Sequence, residues 1–567
     1  MKIGYLPETA KLLVTDADPT QLGEIRSLGR MTWNRAKRWY EGDATVDLID
    51  SLGALCRLPD ELLALKAQLL TVQGRIDALR LQSPAIPIAE YPVKAKLFEH
   101  QVRGANMALV AMGLDRDAEH SGGFGLLMEM GCGKSLTALA IMGIAAQRGL
   151  RRMLIVAPTS VCAVWAEELE RFAAYPYELG ELTGTMKQRM TALDTLHIRA
   201  SISGAVQIAV INYESAWRPG IGDKLLEWAP ELIVADESQR IKTHDAAQAK
   251  GLHKLGDAAR CKLILSGTPV TNSAIDLWSQ YRFMDPVVFG RNYWAFRSRY
   301  AVMGGYENKK IIGYRHVDEL IKREYSRAYR VTKLECLDLP EQVFERRVVI
   351  LEPKAQLLYT RLRRESYAEL EHGEVVASTV LTRLLRLQQL AGGFLAAEGQ
   401  DKPEKISMAK LKALEDILVD HVETTGRKLV IFARFLAEVA AIRDILDERR
   451  ITHVSLTGAT PMEARGALVQ AFQTHSEIKV FVAQIDTAGL GITLTAADTC
   501  VYYSMNYNYA AYEQSLARIH RIGQRNTCTY IHLVASHTVD EAIMAALEAK
   551  KDLAETIVDN WREYFAP

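Results

Sequence analysis

Two short stretches end an apolar run in side chains that could do chemistry. In GLLMEMGCGKSLTALAIMG, residues 125–143, Gly131 and Gly133 precede Lys134, Ser135 and a helix-forming run. Glycines let backbone amides approach a phosphate closely, and the amino terminus of the following helix adds its dipole. Met130, Gly131, Cys132, Gly133, Lys134, Ser135 and Leu136 would then line a phosphate cradle, with Lys134 reaching the β and γ phosphates and Ser135 binding Mg²⁺. The strict spacing of such a loop would put glycine at 128, where Met128 stands. In ELIVADESQRIK, residues 231–242, the apolar or small Leu232 to Ala235 run straight into Asp236 and Glu237. One reading is a buried strand ending in a helix cap, since Asp and Ser both satisfy free amides. The other is a metal-and-base pair at the carboxyl end of a parallel strand, where open α/β sheets hold their ligands.

The order of the two stretches favours the second reading. A phosphate loop followed by a strand ending in Asp-Glu fits a nucleotide hydrolase: Asp236 would hold Mg²⁺ through water, and Glu237 would orient or deprotonate the attacking water. Such chemistry needs positive charge opposite the γ-phosphate. QSLARIHRIGQ offers Arg518 and Arg521, three residues apart and therefore on one face if the segment is a helix. Arginine suits a transition state whose charge spreads over several oxygens. A surface helix making ion pairs is the alternative. The setting argues against it, because the segment follows the glycine-rich turn TAGLGITLTAA, whose Gly489 and Gly491 join the expected nucleotide-binding set.

These residues need sheets to position them. RRMLIVAP, VQIAVINYES, ELIVADES and CKLILSGTP each read as a buried strand ending in small or polar residues, alternating with helical patterns between about 120 and 270. That repetition implies a parallel sheet flanked by helices. The alternation lapses between about 275 and 415, where AQLLYTRLRRESYAEL and TVLTRLLRLQQLAG predict mostly helix. It returns after 425 with GRKLVIFARF, THVSLTG, EIKVFVAQID, TCVYYSMN and YIHLVAS, a second α/β lobe. At the other end, a possible strand at Lys11 to Val14 and polar, basic helical stretches lead to the proline-rich seam SPAIPIAEYP. There GRMTWNRAKRWYEGD interleaves Arg30, Arg35, Lys37 and Arg38 with Trp33, Trp39 and Tyr40, which suits phosphate contact plus stacking, or equally a solvated basic helix over its own small core.

With 567 residues the chain exceeds one core. Hydrophobic residues at 49% and charged residues at 24% are ordinary globular proportions, which exclude extensive disorder. Basic and acidic residues both number 69, so any nucleic-acid surface must be a local patch. The seven cysteines show no CxxC pair and no zinc-ligand spacing, and neither a signal peptide nor a membrane-spanning apolar run is visible. Reduced thiols in a cytoplasmic protein without a membrane partner are expected.

Taken in order, the motifs resemble the Swi/Snf family of ATPases, a branch of the superfamily-two helicase-like motors, over about residues 94–555. KLFEHQVRGANMAL is similar to the entry motif, MEMGCGKS to the phosphate loop, LIVAPTSVCAVWAEELERF to the next motif with Trp165 and Glu168, and DESQRIK to the metal-and-base motif. LSGTPVTNSAIDLWSQYRFMDP resembles the coupling motif, and AYRVTKLECLDLPEQ the segment closing the first lobe. KLVIFARF, TAGLGITLTAAD, ARIHRIGQ and TVDEAIMAALEAKKDL resemble the remaining motifs. Gln239 stands where the family usually has His, and Tyr507 and Tyr509 where Trp and Pro are common, while Gln524 is kept.

The resemblance implies two RecA-like lobes closing on ATP, with Gln101 at the adenine, Gln239 coupling the nucleotide to Ser266 to Thr268, and double-stranded DNA held by its backbone. Ser160, Thr268, Asn272, Thr487 and Thr495 are the DNA contacts by motif position. The expected architecture is α/β: an accessory domain at 1–90, a first lobe at 91–345 with a helical insertion at about 275–330, a helical protrusion at 346–415, and a second lobe at 416–567. The expected activity is ATP-dependent translocation on double-stranded DNA, remodelling protein–DNA complexes or branched DNA in a bacterial or viral setting, with residues 1–90 open to a protein partner. A strand-separating DNA or RNA helicase and an ATP-gated DNA-binding scaffold are the alternatives.

Overall fold

The computed structural model describes residues 1–6, 11–28, 30–115, 122–305, 310–371, 377–395, 403–490 and 492–556. The chain forms two compact units, Met1–Cys336 together with a short segment from Leu553, and Leu337–Asp552.

The first unit opens with a four-stranded antiparallel sheet in the order Lys2–Leu6, Lys11–Thr15, Trp39–Asp43, Thr32–Asn34. Alternation decides its faces, because Leu12 and Val14 point inward with Ile25, Ile49 and Leu52 from the two covering helices. The first of those helices, Pro19–Ser27, starts on a capping box in which Asp18 accepts from the Thr20 and Gln21 amides and Gln21 returns a bond to the Asp18 amide. The basic aromatic stretch is not helical: residues 32–43 form a hairpin whose tip carries Arg35, Lys37 and Arg38 in solvent. Period-two burial of Met31, Tyr40 and Gly42 against the small core overrides the helical look of the stretch.

Helix Asp60–Leu81 leaves this core and enters the next. Leu62 packs in the small sheet's core, whereas Ile76, one long helix away, packs in the core of the large sheet. Near its end Arg80 is buried and donates to the carbonyls of Ala328 and Tyr325.

The large sheet has seven strands, all paired in parallel, in the order Ala328–Val331, Gly122–Met128, Cys261–Leu265, Leu232–Asp236, Arg152–Ala157, Val206–Asn212, Tyr177–Glu181. Its central strands are apolar on both faces, as a doubly covered parallel sheet requires: Leu232 and Val234 face one core, Ile233 and Ala235 the other. Gly123 admits the helix Asp276–Met284 beside it, since a Cβ there would lie 2.3 Å from the Met284 carbonyl oxygen.

The second unit holds a six-stranded parallel sheet in the order Gln342–Val349, Cys528–Ala535, Thr499–Tyr502, Leu429–Ala433, Val480–Gln484, His453–Leu456. The expected two α/β lobes are therefore present. The stretch expected to be mostly helical also supplies strands, however: the hairpin Ala301–Gly304 with Lys310–Tyr314, and one outer strand for each sheet, Ala328–Val331 and Gln342–Val349. Outer strands are short or alternate with charge, so AYRV and QVFERRVV carry little apolar signal. Among the described residues no helix is long and apolar enough to cross a membrane.

Candidate functional site

The parallel register brings the two chemical stretches to one sheet edge. Strands Gly122–Met128 and Leu232–Asp236 both pair with Cys261–Leu265, so their carboxyl ends emerge together with the Ser266–Thr268 turn between them. Beyond Met128 the chain forms a glycine-rich loop with positive φ at Gly131 (93°) and Gly133 (81°), then helix Lys134–Gln147. A side chain at Gly133 would be strained at its positive φ and would displace Gln101, whose Nε2 its Cβ would meet at 2.0 Å. Gln101 is buried and braces this loop, accepting from the Phe98 amide (2.9 Å) and donating to the Cys132 carbonyl (3.3 Å), which His100 Nε2 also meets at 2.9 Å. Lys134 donates to the carbonyls of Met128 (2.8 Å) and Glu129 (3.3 Å), so its ammonium lies inside the loop's curve. Ser135 and Leu136 are half-buried on the first turn of that helix.

Asp236 is buried, and each of its oxygens is oriented. Oδ2 accepts from Trp165 Nε1 (3.0 Å), Oδ1 from the Glu237 amide (2.9 Å), and its carbonyl from the Tyr213 hydroxyl (2.7 Å). Burial first, then the adjacent Glu237 charge, push its carboxyl up to about 7, with Lys134 and the Trp165 bond acting the other way. Two carboxylates so placed fit a divalent cation, since its charge relieves both burial and mutual repulsion. Ser135 and Asp236 are the residues that would hold it. Glu237 itself has φ 51° and ψ 53°, a left-handed conformation costing about 1 kcal/mol for a residue with a Cβ. The Tyr213 and Trp165 bonds hold the turn there and leave the Glu237 side chain half-exposed beyond the strand end. Of the first reading, the buried strand is present but Asp236 caps no α-helix; of the second, Asp236 and Glu237 stand at the carboxyl end of a parallel strand.

From Glu237 a chain of side-chain bonds leads away. Gln239 Nε2 donates to Glu237 Oε2 (2.5 Å), Ser266 Oγ donates to Gln239 Oε1 (2.8 Å), and the Thr268 amide donates to Ser266 Oγ (3.1 Å). A carboxylate only accepts, so the amide nitrogen of Gln239 must face Glu237 and its oxygen must face the serine. Glutamine in place of histidine therefore still bridges the two motifs. Next to Gln239, Ser238 Oγ donates to Gln280 Oε1 (2.8 Å), and Gln280 Nε2 donates to the Pro269 carbonyl (2.8 Å), a second buried tie between the same two turns.

Sequence reasoning missed three positioning residues. Tyr213 carried no signal beyond an aromatic after a strand. Arg330, buried in the four-residue strand AYRV, donates to Leu127 O (3.3 Å), Gly267 O (2.9 Å) and Glu129 Oε1 (3.2 Å), tying the phosphate loop's strand to the Ser-Gly-Thr turn. Glu129 also accepts from the Lys333 amide at 2.9 Å. An arginine inside a short apolar strand was the available clue for that pair.

In the second unit, helix Tyr509–Leu516 ends before either arginine, so Arg518 and Arg521 do not share a helical face; they lie in the turns of residues 517–523. The segment at 492–497 captures those turns. Leu494 donates its amide to Arg518 O (2.9 Å), and Gln524 Nε2 reaches Ala497 O (2.8 Å) and Ile519 O (3.2 Å). The arginines still converge, with Arg518 Nη1 at Ile492 O (3.4 Å) and Arg521 Nη1 at Thr493 Oγ1 (2.8 Å). Asn508 caps the helix where Tyr507 and Tyr509 replace the usual residues, accepting from the Ala511 amide at 3.3 Å. Gly489 lies in the 3-10 turn Ile485–Leu490, and Gly491 is outside the described residues.

Of the residues expected on DNA, Ser160, Thr268 and Asn272 lie just beyond strand ends of the large sheet, Ser160 and Thr268 half-buried and Asn272 exposed. Thr487 is buried and donates to Gln484 O within its own turn (2.5 Å), while Thr495 accepts from Gln473 Nε2 (3.1 Å).

A glycine-rich loop opening a helix, one strand away from a strand ending in Asp-Glu, defines a phosphate-loop α/β protein built on two parallel sheets. The SNF2-related domain model matches residues 100–392, and the helicase conserved C-terminal domain model matches residues 409–523. The chain belongs to the SNF2-related family. An uncharacterized ATP-dependent helicase of Mycoplasma genitalium is 25% identical over 437 residues, 76% of this chain and 40% of that protein. The SWI/SNF-related matrix-associated actin-dependent regulator of chromatin subfamily A-like protein 1 homolog of Caenorhabditis elegans is 27% identical over 468 residues, 81% of this chain and 61% of that protein. The chain thus spans about two fifths to three fifths of the length of these relatives. A solved structure, the Sulfolobus solfataricus SWI2/SNF2 ATPase core in complex with dsDNA, aligns with 24% identity and a TM-score of 0.39, covering 83% of this chain and 95% of that one.

Proposed function

We propose that this protein hydrolyses ATP and uses the cycle to move along double-stranded DNA, remodelling bound protein or branched DNA. The observation that carries this reading is the bonded path from Glu237 through Gln239 to Ser266 and Thr268, because it gives a change at the nucleotide a route to a neighbouring strand end. Membership in the SNF2-related family, and relatives named as ATP-dependent helicases, support it.

In this reading the loop amides and Lys134 bind and orient the phosphates. Magnesium, when bound, would screen the phosphate charge and polarise the transferred group. Asp236, fixed by Trp165 and Tyr213, supplies an oriented carboxylate, and Glu237 takes the proton of the attacking water. Arg518 and Arg521 are assigned to the charge that develops on the transferred phosphate. Backbone contact through Ser160, Thr268, Asn272, Thr487 and Thr495 would make binding sequence-tolerant and salt-sensitive.

Steady-state hydrolysis by the wild type and Glu237→Gln, alone and with duplex DNA, single-stranded DNA or RNA, tests the reading. Duplex should stimulate the wild type, and the variant should bind ATP with turnover lowered by about 10²-fold or more. Equal turnover of the two proteins would refute the base assignment. Stimulation only by single strands or RNA, with release of a strand from a forked duplex, would replace translocation by strand separation, and absence of turnover would replace it by a nucleotide-gated scaffold.

A further inference from the structure

The phosphate loop contains a cysteine with a second cysteine against it. Cys132 stands between Gly131 and Gly133, and its Sγ lies 3.3 Å from Sγ of Cys336, where the main segment of the first unit ends. Both thiols are free.

The backbone, not a chance rotamer, sets this approach. Val331 pairs with Met128 in the sheet, the Glu129 amide donates to Val331 O (2.9 Å), and Glu129 Oε2 accepts from the Lys333 amide (2.9 Å). The short helix Lys333–Cys336 therefore starts against the loop and delivers Cys336 to it one turn later. Cys132 is buried and Cys336 half-buried, so small solutes can reach the pair from the Cys336 side.

We propose that Cys132 and Cys336 are an oxidative modification site, closing to a disulfide in the presence of a peroxide and thereby switching off nucleotide binding. One thiolate attacks a peroxide oxygen, the O–O bond breaks, and hydroxide leaves from the peroxide while the sulfur keeps the other oxygen as a sulfenic acid. The second thiolate attacks that sulfur, the S–S bond forms and a second hydroxide leaves. The two thiol protons convert both hydroxides to water, and two electrons pass from the sulfurs to the peroxide. The bond from Cys336 draws the Cys132 thiol below its ordinary range against its burial, with the Lys134 charge acting the same way, while the bond to Cys132 and burial push Cys336 up.

Closure has a defined consequence for the loop. The sulfurs must approach to about 2.05 Å with a dihedral near 90°. That requires Cys132 to turn in a loop whose flanking glycines already sit at positive φ and whose carbonyl is held by His100 and Gln101. The amides that would receive phosphate then change direction together. This last step rests on the reading of residues 130–136 as a phosphate loop.

The test is peroxide treatment of the full chain, followed by thiol titration, peptide mass spectrometry and equilibrium binding of a fluorescent ATP analogue. The expected result is a Cys132–Cys336 linked peptide, affinity weakened on the order of tenfold or more, and recovery in dithiothreitol. Cys336→Ser should bind the analogue as the reduced wild type does and form no linked peptide with peroxide. No linked peptide, or a linked peptide with unchanged affinity, would overturn the proposal. A linked peptide in a protein that binds no analogue even when reduced would instead overturn the phosphate-loop reading and, with it, the regulatory half of the proposal.

Discussion

Glu237 and Gln239 show how two residues of a turn divide labour. A left-handed backbone at Glu237 lets its carboxylate leave the strand end, and the same turn brings the Gln239 amide back under it. Because that amide both donates and accepts, a change in the Glu237 charge must be felt at Ser266, whose hydroxyl has Gln239 as its acceptor. Gln239→Leu should therefore leave ATP binding intact and abolish DNA stimulation of turnover, read as kcat with and without duplex, while Gln239→His should keep it. Ser266→Ala should give the same loss, and the double variant no more than either single one, since both changes cut one path. The loop and the paired acids that the proposed function assigns to the nucleotide stood out in sequence because glycine, lysine and adjacent carboxylates directly after an apolar run mark a special strand end. Tyr213 and Arg330 were not, since each acts through backbone carbonyls that no spacing rule exposes.

At the scale of elements, the hairpin at 32–43 and the helix at 60–81 define the amino-terminal part. The hairpin tip exposes Arg35, Lys37 and Arg38, with Trp33 half out in solvent and Lys37 Nζ 5.2 Å from the Trp39 ring centre. If this tip meets the DNA backbone, Arg35→Glu with Lys37→Glu should weaken binding for all sequences alike and flatten the slope of log affinity against log salt by about two. An unchanged slope would remove the hairpin from the interface. The helix makes a separate prediction. Ile76 is fully buried in the large sheet's core, so Ile76→Ala should cost about 2–5 kcal/mol of first-unit stability, measured by denaturant unfolding, although the residue lies among the first 90. The central strands were readable because both faces are apolar. The basic aromatic stretch misled because aromatic and cationic residues mix on hairpins and helices alike, and only its packing partners choose between them.

For the whole molecule, each unit carries a buried neutral histidine. Burial lowers His253 in the first and His532 in the second to about 4, against an ordinary value near 6.5. His253 contacts Ser279, and His532 stacks on Tyr502 with its Nε2 3.0 Å from the Tyr512 hydroxyl. Between pH 6.5 and 4 the unfolded chain takes up protons that the folded chain refuses, so stability falls as pH drops through that window and the loss is complete below it. Each unit should lose about 2 kcal/mol between pH 7.5 and 5, seen as a lower denaturant midpoint, and His253→Gln or His532→Gln should flatten the dependence of its own unit. The outer strand Gln342–Val349 bears on a different process, the birth of the chain. Its one neighbour in the sheet, Cys528–Ala535, leaves the ribosome about 180 residues later, a wait on the order of ten to forty seconds at ordinary rates of synthesis. Throughout that interval an unpaired strand would be open to pairing with other nascent chains. Glu345, Arg346 and Arg347, which break up its apolar pattern and hid it from a reading for buried strands, are the charges that keep such a waiting strand apart from its copies.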